Sequence, residues 1–360
     1  MNKRFVLSVI ALLLCACLLA GCGSTAAPAA PAQEDPAPAA EPAPETEAAP
    51  ETEAAPETEA APEIDASLPV RVYTLNGTTG FGMAGLIAEA AEGSAALNYS
   101  FSVESDPSVV TAALVSGDCD LAALPTNAAS ALYNKTGGKV QVIALNTRGV
   151  LYVLTDGSVP VESLEDLAGQ TVYAPAQNPS FILEALCRAR GVELTIDNSY
   201  PQPAELNAAV AAGEVGLAVL PEPMVTVACA QNKALTAALD LSAEWDAVME
   251  PGSLVQGCVA VRREFAEAHG AELACFLEEY GRSVALLEED AQAAAQKIEQ
   301  AGIFANAAVA AKAIPRCNIC FVTGEDMQRQ LSVFLQTMFE TAPQSIGGSV
   351  PGDDFYYIAP

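Results

Sequence analysis

Residues 107–125, PSVVTAALVSGDCDLAALP, and residues 203–221, PAELNAAVAAGEVGLAVLP, are one pattern written twice. Aligned without gaps, they agree at eight of nineteen positions. Three of the agreements are alanines and carry little weight in this alanine-rich chain. The others have mechanical jobs: Pro107 and Pro203 suit a first helical turn, Gly117 and Gly213 a helix stop, and Pro125 and Pro221 the end of a buried strand. Each copy predicts helix, tight turn, strand and break. Two ordinary strand–helix units sharing a common grammar is the bland reading. Two lobes built alike is the reading taken here, because a second pair of segments repeats at a similar offset.

That second pair begins with Val70–Leu75, a β-branched strand followed by Thr78-Thr79-Gly80, which opens a helix. Phe81, Met83, Leu86, Ile87 and Ala90 then follow the 3.6-residue period. Its counterpart is the strand Thr171–Ala174 and a helix with Asn178 as N-cap and Pro179 in the first turn. Ile182, Leu186 and Ala189 form its inward face, and Gly191 ends it. Strands alternating with helices from Leu68 onward place the chain in the α/β class.

The 360 residues suffice for a two-lobed unit with a large aliphatic core, since 51% are hydrophobic and only 6% aromatic. Against 16 Lys and Arg stand 45 Asp and Glu, a net charge of −29. Such a balance excludes the basic surface that nucleic acid or anionic lipid requires. The one histidine, His269, argues against histidine-based acid–base chemistry and most zinc or haem sites. It is expected near a helix end. Cys317-Asn318-Ile319-Cys320 has the CxxC spacing but no second pair or histidine nearby, and an apolar strand-like run starts inside it. These cysteines are read as packing residues. No metal or cofactor is indicated.

The chain opens like an export signal: Lys3 and Arg4, then an apolar run from Phe5 to Ala20, too short for the ~20 residues of a membrane span. Leu19-Ala20-Gly21-Cys22 resembles the bacterial lipobox. The resemblance implies removal of residues 1–21 and lipidation of Cys22, whose acyl chains would anchor the protein stably. Residues 22–66 carry ETEAAP three times in tandem, with no Leu, Val, Phe or Ile between Ser24 and Glu63. A proline in each repeat forbids a helix, so this segment reads as an extended tether, on the order of 130 Å when fully drawn out.

Four stretches carry a family likeness: Gly117–Ala129 (GDCDLAALPTNAA), Leu167–Gly191 (LAGQTVYAPAQNPSFILEALCRARG), Gly216–Ala228 (GLAVLPEPMVTVA) and Ser345–Tyr357 (SIGGSVPGDDFYY). In this order and spacing, residues 67–360 resemble the solute-binding proteins of ABC importers, in the nitrate, sulfonate, taurine and thiamine-precursor group. The resemblance implies a type II periplasmic-binding fold. Lobe 1 would span about 67–152 and 258–360, and lobe 2 about 153–257. Val150–Thr155 and Leu254–Val261 would be the two crossing strands, with the helical region 264–312 and the segment 314–322 returning to lobe 1. It also implies a monomeric lipoprotein on the outer face of the cytoplasmic membrane, passing a small anionic or zwitterionic solute to an ABC permease. A sensor or adhesin on the same fold is the rival reading. A biosynthetic enzyme on this scaffold is the least favoured reading: a lipid anchor, one histidine and no nucleophile–base pair lead to the expectation that the chain is not an enzyme.

Ligands of open α/β sheets lie beyond the carboxyl ends of strands, where helix N-termini expose N–H groups. Asn76, Thr78, Thr79 and Gly80 follow the first strand, and Asn178 and Ser180 hold the matching place in the second lobe. They can face a ligand, or Thr78 and Asn178 can simply cap their own helices. Asn127 and Glu222 stand at equivalent strand ends of the repeat. Asn127 both donates and accepts. Glu222 either contacts an amine or ring N–H of the ligand or caps the helix after Pro223. Arg148, just before the first crossing, is either a carboxylate or sulfonate anchor or a solvated side chain.

Overall fold

A computed structural model of the chain describes residues 63–359. The expected signal segment 1–21, Cys22 and the tether up to residue 62 lie outside the described residues. In lobe 1, strands β1 (Pro69–Leu75), β2 (Asn98–Glu104), β3 (Leu121–Pro125) and β4 (Val140–Arg148) alternate with helices. The chain then crosses into lobe 2 for β5 (Leu151–Thr155), β6 (Thr171–Tyr173), β7 (Thr195–Asp197), β8 (Leu217–Pro221) and β9 (Thr236–Asp240). It returns through β10 (Val255–Arg262) and ends its sheet with β11 (Ile319–Val322).

The two sheets have the same plan. Lobe 1 runs β2-β1-β3-β10-β4-β11 and lobe 2 runs β7-β6-β8-β5-β9. In each, three parallel strands meet one antiparallel strand brought in by a crossing: β10 beside β3, and β5 beside β8. The repeat seen in sequence supplies the equivalent pieces. Helices Pro107–Ser116 and Pro203–Ala212 each stop at a left-handed glycine, Gly117 with φ 83° and Gly213 with φ 77°. Each then leads into a strand buried at four of its five positions. Even the register corresponds, with Gly257 opposite Pro125 and Leu151 opposite Pro221.

Backbone pairing moves the lobe boundaries slightly. β5 joins the second sheet from Leu151 and β10 joins the first from Val255, so each switch falls a few residues before the positions read from sequence. The crossings touch one another. The Val150 N–H donates to Gln256 Oε1 at 2.8 Å, and a Cβ on Gly149 would lie 2.5 Å from Leu254. A larger residue there must displace the Ser242 and Leu254 side chains.

Two local readings change. The helix after β1 is split into Thr78–Phe81 and Ala84–Glu92. In the helix Asn178–Arg190, Ala189 is exposed while Leu183, Ala185 and Cys187 join Ile182 and Leu186 inside. Packing on two neighbours widens the buried stripe beyond a single 3.6-residue row. One of those neighbours is the long helix Gly324–Thr341, whose Phe334 sits 6.0 Å from Trp245 of lobe 2. An apolar seam therefore runs behind the crossings. Among the described residues, no helix is long and apolar enough to cross a membrane.

Candidate functional site

The carboxyl ends of β1, β3 and β4 face those of β6 and β8 across a cleft, and the structure brings together residues from both sides of it. Asn178 does not cap its helix. It is the first helical residue after Gln177, and its Nδ2 donates instead to Asn127 Oδ1 across the lobes at 2.9 Å. Asn127 is 7% exposed and reaches the Ser345 carbonyl at 3.4 Å. Two amides placed at strand and helix ends by the two lobes thus meet directly.

Glu222 caps and pairs at once. Its Oε2 accepts from the Thr226 N–H at 3.1 Å, at the start of helix Met224–Gln231. Its Oε1 lies 3.2 Å from Arg316 Nε, which belongs to lobe 1. The Arg316 guanidinium lies 4.3 Å above the Tyr152 ring, and the Tyr152 hydroxyl donates to the Arg316 carbonyl at 3.1 Å. Burial raises the Glu222 carboxyl above its ordinary value. The Thr226 N–H and Arg316 pull it back only in part.

The loop after β1 is held from below. Asn76 is exposed, Gly77 N–H donates to Ile303, and the Thr79 carbonyl accepts from Asn146 Nδ2 at 3.1 Å. Thr78 makes no cap, because Gly77 takes the N-cap position without a side chain. A Cβ on Gly80 would lie 2.0 Å from the Leu75 carbonyl, so glycine there answers to packing. Ser180 is buried and committed: its hydroxyl donates to the Pro175 carbonyl and accepts from Asn198 Nδ2. Arg148 has no carboxylate within 4.0 Å among the described residues, and its buried Nε is unpartnered. It lies between two hinge cavities of about 470 and 370 Å³. A third cavity, of about 410 Å³, opens between the lobes beside Asn127, Gln177 and Ser345.

Arg316, Tyr152, Gln177 and Ser345 are not marked out by the sequence, since each matters only through contacts or a cavity formed by residues far away in the chain. Of the CxxC cysteines, Cys317 follows the turn Ile314–Arg316 and Cys320 lies in β11; both are free, with burial pushing the Cys320 thiol up to about 12. All seven described cysteines are free. His269 joins two helices, ending Arg263–Ala268 and preceding Gly270–Glu289.

A protein of Parabacteroides distasonis described as an ABC transporter superposes with a TM-score of 0.68 at 21% identity, over 81% of this chain and 99% of that one. The periplasmic aliphatic sulphonate-binding protein SsuA of Escherichia coli gives 0.64 at 16% identity, over 81% and 92%. The alkanesulfonate-binding protein SsuA of Xanthomonas axonopodis pv. citri gives 0.57 at 14%, over 78% and 94%. At these identities the likeness is one of fold: the chain has the two-lobed periplasmic-binding-protein architecture. No curated protein matches it. A family model described as menaquinone biosynthesis matches residues 95–311. That match corrects the expectation that the chain is not an enzyme, because biosynthesis is catalysed, and neither a lipid anchor, a single histidine nor the lack of a visible nucleophile–base pair in the sequence rules catalysis out. With more than half of its 360 residues covered, the chain belongs to the menaquinone-biosynthesis family.

Proposed function

We propose that the chain captures a small solute between its lobes and, held at the outer face of the cytoplasmic membrane by lipid on Cys22, passes it to an ABC permease. The observation that carries this reading is the convergence of side chains from both lobes in the cleft, Asn127 on Asn178 and Glu222 on Arg316. A ligand seated there touches both lobes only when they are closed, and that differential contact drives closure. Thr78, Thr79, Asn127, Arg148 and Asn178 form the ligand-facing set in this reading. The lipobox-like Leu19–Cys22 and the repeated ETEAAP tether support an anchored location.

The family match favours a second reading, in which the same cleft holds a menaquinone precursor and transforms it. Both are tested by incubating the purified chain with a panel of nitrate, sulfonates, taurine, aminopyrimidines, amino acids and naphthoquinone precursors. Thermal shift reads binding, and mass spectrometry of the recovered solute reads its fate. A solute that binds and returns unchanged supports the receptor. One returned altered supports the enzyme and sinks the receptor, and a panel without any shift sinks the receptor reading as stated.

A further inference from the structure

The cavity between Asn127, Gln177 and Ser345 has walls from both lobes. Lobe 1 contributes Asn127 and the turn Ala342–Ser345. That turn is fastened to its own lobe by Ser130 and Asn134, which donate to the Ile346 carbonyl at 3.0 and 2.8 Å. Lobe 2 contributes Gln177 and Phe181 from the start of its helix Asn178–Arg190. Anything filling this space bridges the lobes.

Its chemistry is distinctive for so acidic a chain. None of the lining side chains is charged: the polar ones are carboxamides and a hydroxyl, set beside the flat apolar face of Phe181. One polar atom of its wall, the Ser345 hydroxyl, is buried without a partner. An unpartnered hydroxyl calls for a partner and serves as donor or acceptor, and the carboxamides of Asn127, Gln177 and Gln344 around it offer both. Gln177 adds an independent sign. Its backbone has φ 68° and ψ −130°, a conformation that L-residues other than glycine rarely hold. Strain of this kind collects where a side chain is held for a ligand. A carboxylate or sulfonate entering here would find no charged side chain, only the N-terminal N–H groups of the helices Thr126–Thr136 and Asn178–Arg190, inside the field of a chain with net charge −29.

We infer that this inter-lobe cavity recognises an uncharged, flat solute with an amide edge, its ring against Phe181 and its N–H and C=O groups shared among Asn127, Gln177 and Ser345. The inference rests on the reading of the cleft as a solute site. It replaces the anionic or zwitterionic solute expected from sequence with a neutral one.

Matched pairs differing only in charge provide the test: nicotinamide against nicotinate, benzamide against benzoate, and uracil against orotate. Each is titrated into the purified full chain by calorimetry and thermal shift. The amide members are expected to bind and their anionic partners at least about tenfold more weakly. Ser345→Ala is expected to weaken amide binding about tenfold while leaving the ligand-free melting temperature in place. Gln177→Gly is expected to raise that temperature and weaken binding, because it relieves the strain and removes the side chain. Equal or tighter binding of the carboxylates, no binding by any amide member, or amide affinity indifferent to both substitutions overturns the inference. A sulfonate or carboxylate that binds would do so while leaving the receptor reading standing. Absence of any bound solute in the wider panel is what removes that reading.

Discussion

The pair between Glu222 and Arg316 can be taken apart quantitatively. Arg316→Gln leaves a carboxylate whose side chain is 0% exposed facing a neutral partner, whereas the arginine it loses was 37% exposed. Breaking a fully buried pair from one side costs about 3–5 kcal/mol and an exposed pair about 0–1, so with one end screened by solvent we take about 2 kcal/mol. In a unit of this size, that lowers the melting temperature by about 4 °C. Glu222→Gln keeps an oxygen to accept from Thr226 and drops only the charge, so the double variant is expected within about 1 °C of the parent. The effect is also pH-dependent. Burial holds the Glu222 carboxyl above its ordinary value, with Thr226 and Arg316 opposing. A carboxyl raised in the folded state contributes its stability in full below the unfolded value and loses it as pH rises through the folded one. Removing Arg316 strips away a lowering influence, so the deficit of the single variant grows over that rise and closes in acid. Differential scanning fluorimetry of parent, both singles and the double at about pH 4.5 and about 7.5 measures all of this. A deficit of equal size at both pH values, or a double variant no better than Arg316→Gln alone, refutes the reasoning.

Gly80→Ala sets a Cβ 2.0 Å from the Leu75 carbonyl, and the backbone must shift to admit it. A loss of about 3 kcal/mol or more in urea unfolding is expected, and a loss below about 1 would show that the loop yields freely. Asp120, 2% exposed, accepts from Arg71 Nε at 2.9 Å, Arg71 Nη2 at 2.6 Å and Arg262 Nη2 at 3.1 Å. Burial pushes its carboxyl up, but the bonds from Arg71 and Arg262 outweigh it and hold the group below its ordinary value. Its contribution is present above the unfolded value and lost as pH falls through the folded one. Asp120→Asn is therefore expected to cost about 3 kcal/mol at neutral pH and progressively less in acid, read by urea titration at each pH. Asn127→Ala and Asn178→Ala, separately and together, form a cycle for the inter-lobe hydrogen bond. A coupling of about 1 kcal/mol is expected, and additive losses would mean that the amides do not act as a pair.

Much of this molecule can be read along the chain, because the devices that build it are local. A proline at a helix start, a glycine in the left-handed region at its end and an all-apolar strand each act within a few residues. That is why residues 107–125 and 203–221 announce two lobes with the same sheet plan. The strand ends that border the cleft follow from the same grammar, and Asn127, Asn178 and Glu222 stand there as expected. What those side chains do there is another matter. Asn178 looks like a cap and is instead the partner of Asn127, 51 residues away. Glu222 does cap its helix, yet it also holds Arg316, which no neighbouring residue marks out. Gln177 reads as an ordinary loop residue until its backbone conformation is known. The expectation of a chain without catalysis, drawn from a lipid anchor, a single histidine and no visible nucleophile–base pair, is overturned by a family match that extends over residues 95–311. Periodicity and turn chemistry are properties of a few consecutive residues, so they survive in the one-dimensional string. The contacts across the cleft exist only after two lobes have folded and met, and no short window of the chain encodes which of its side chains will face each other.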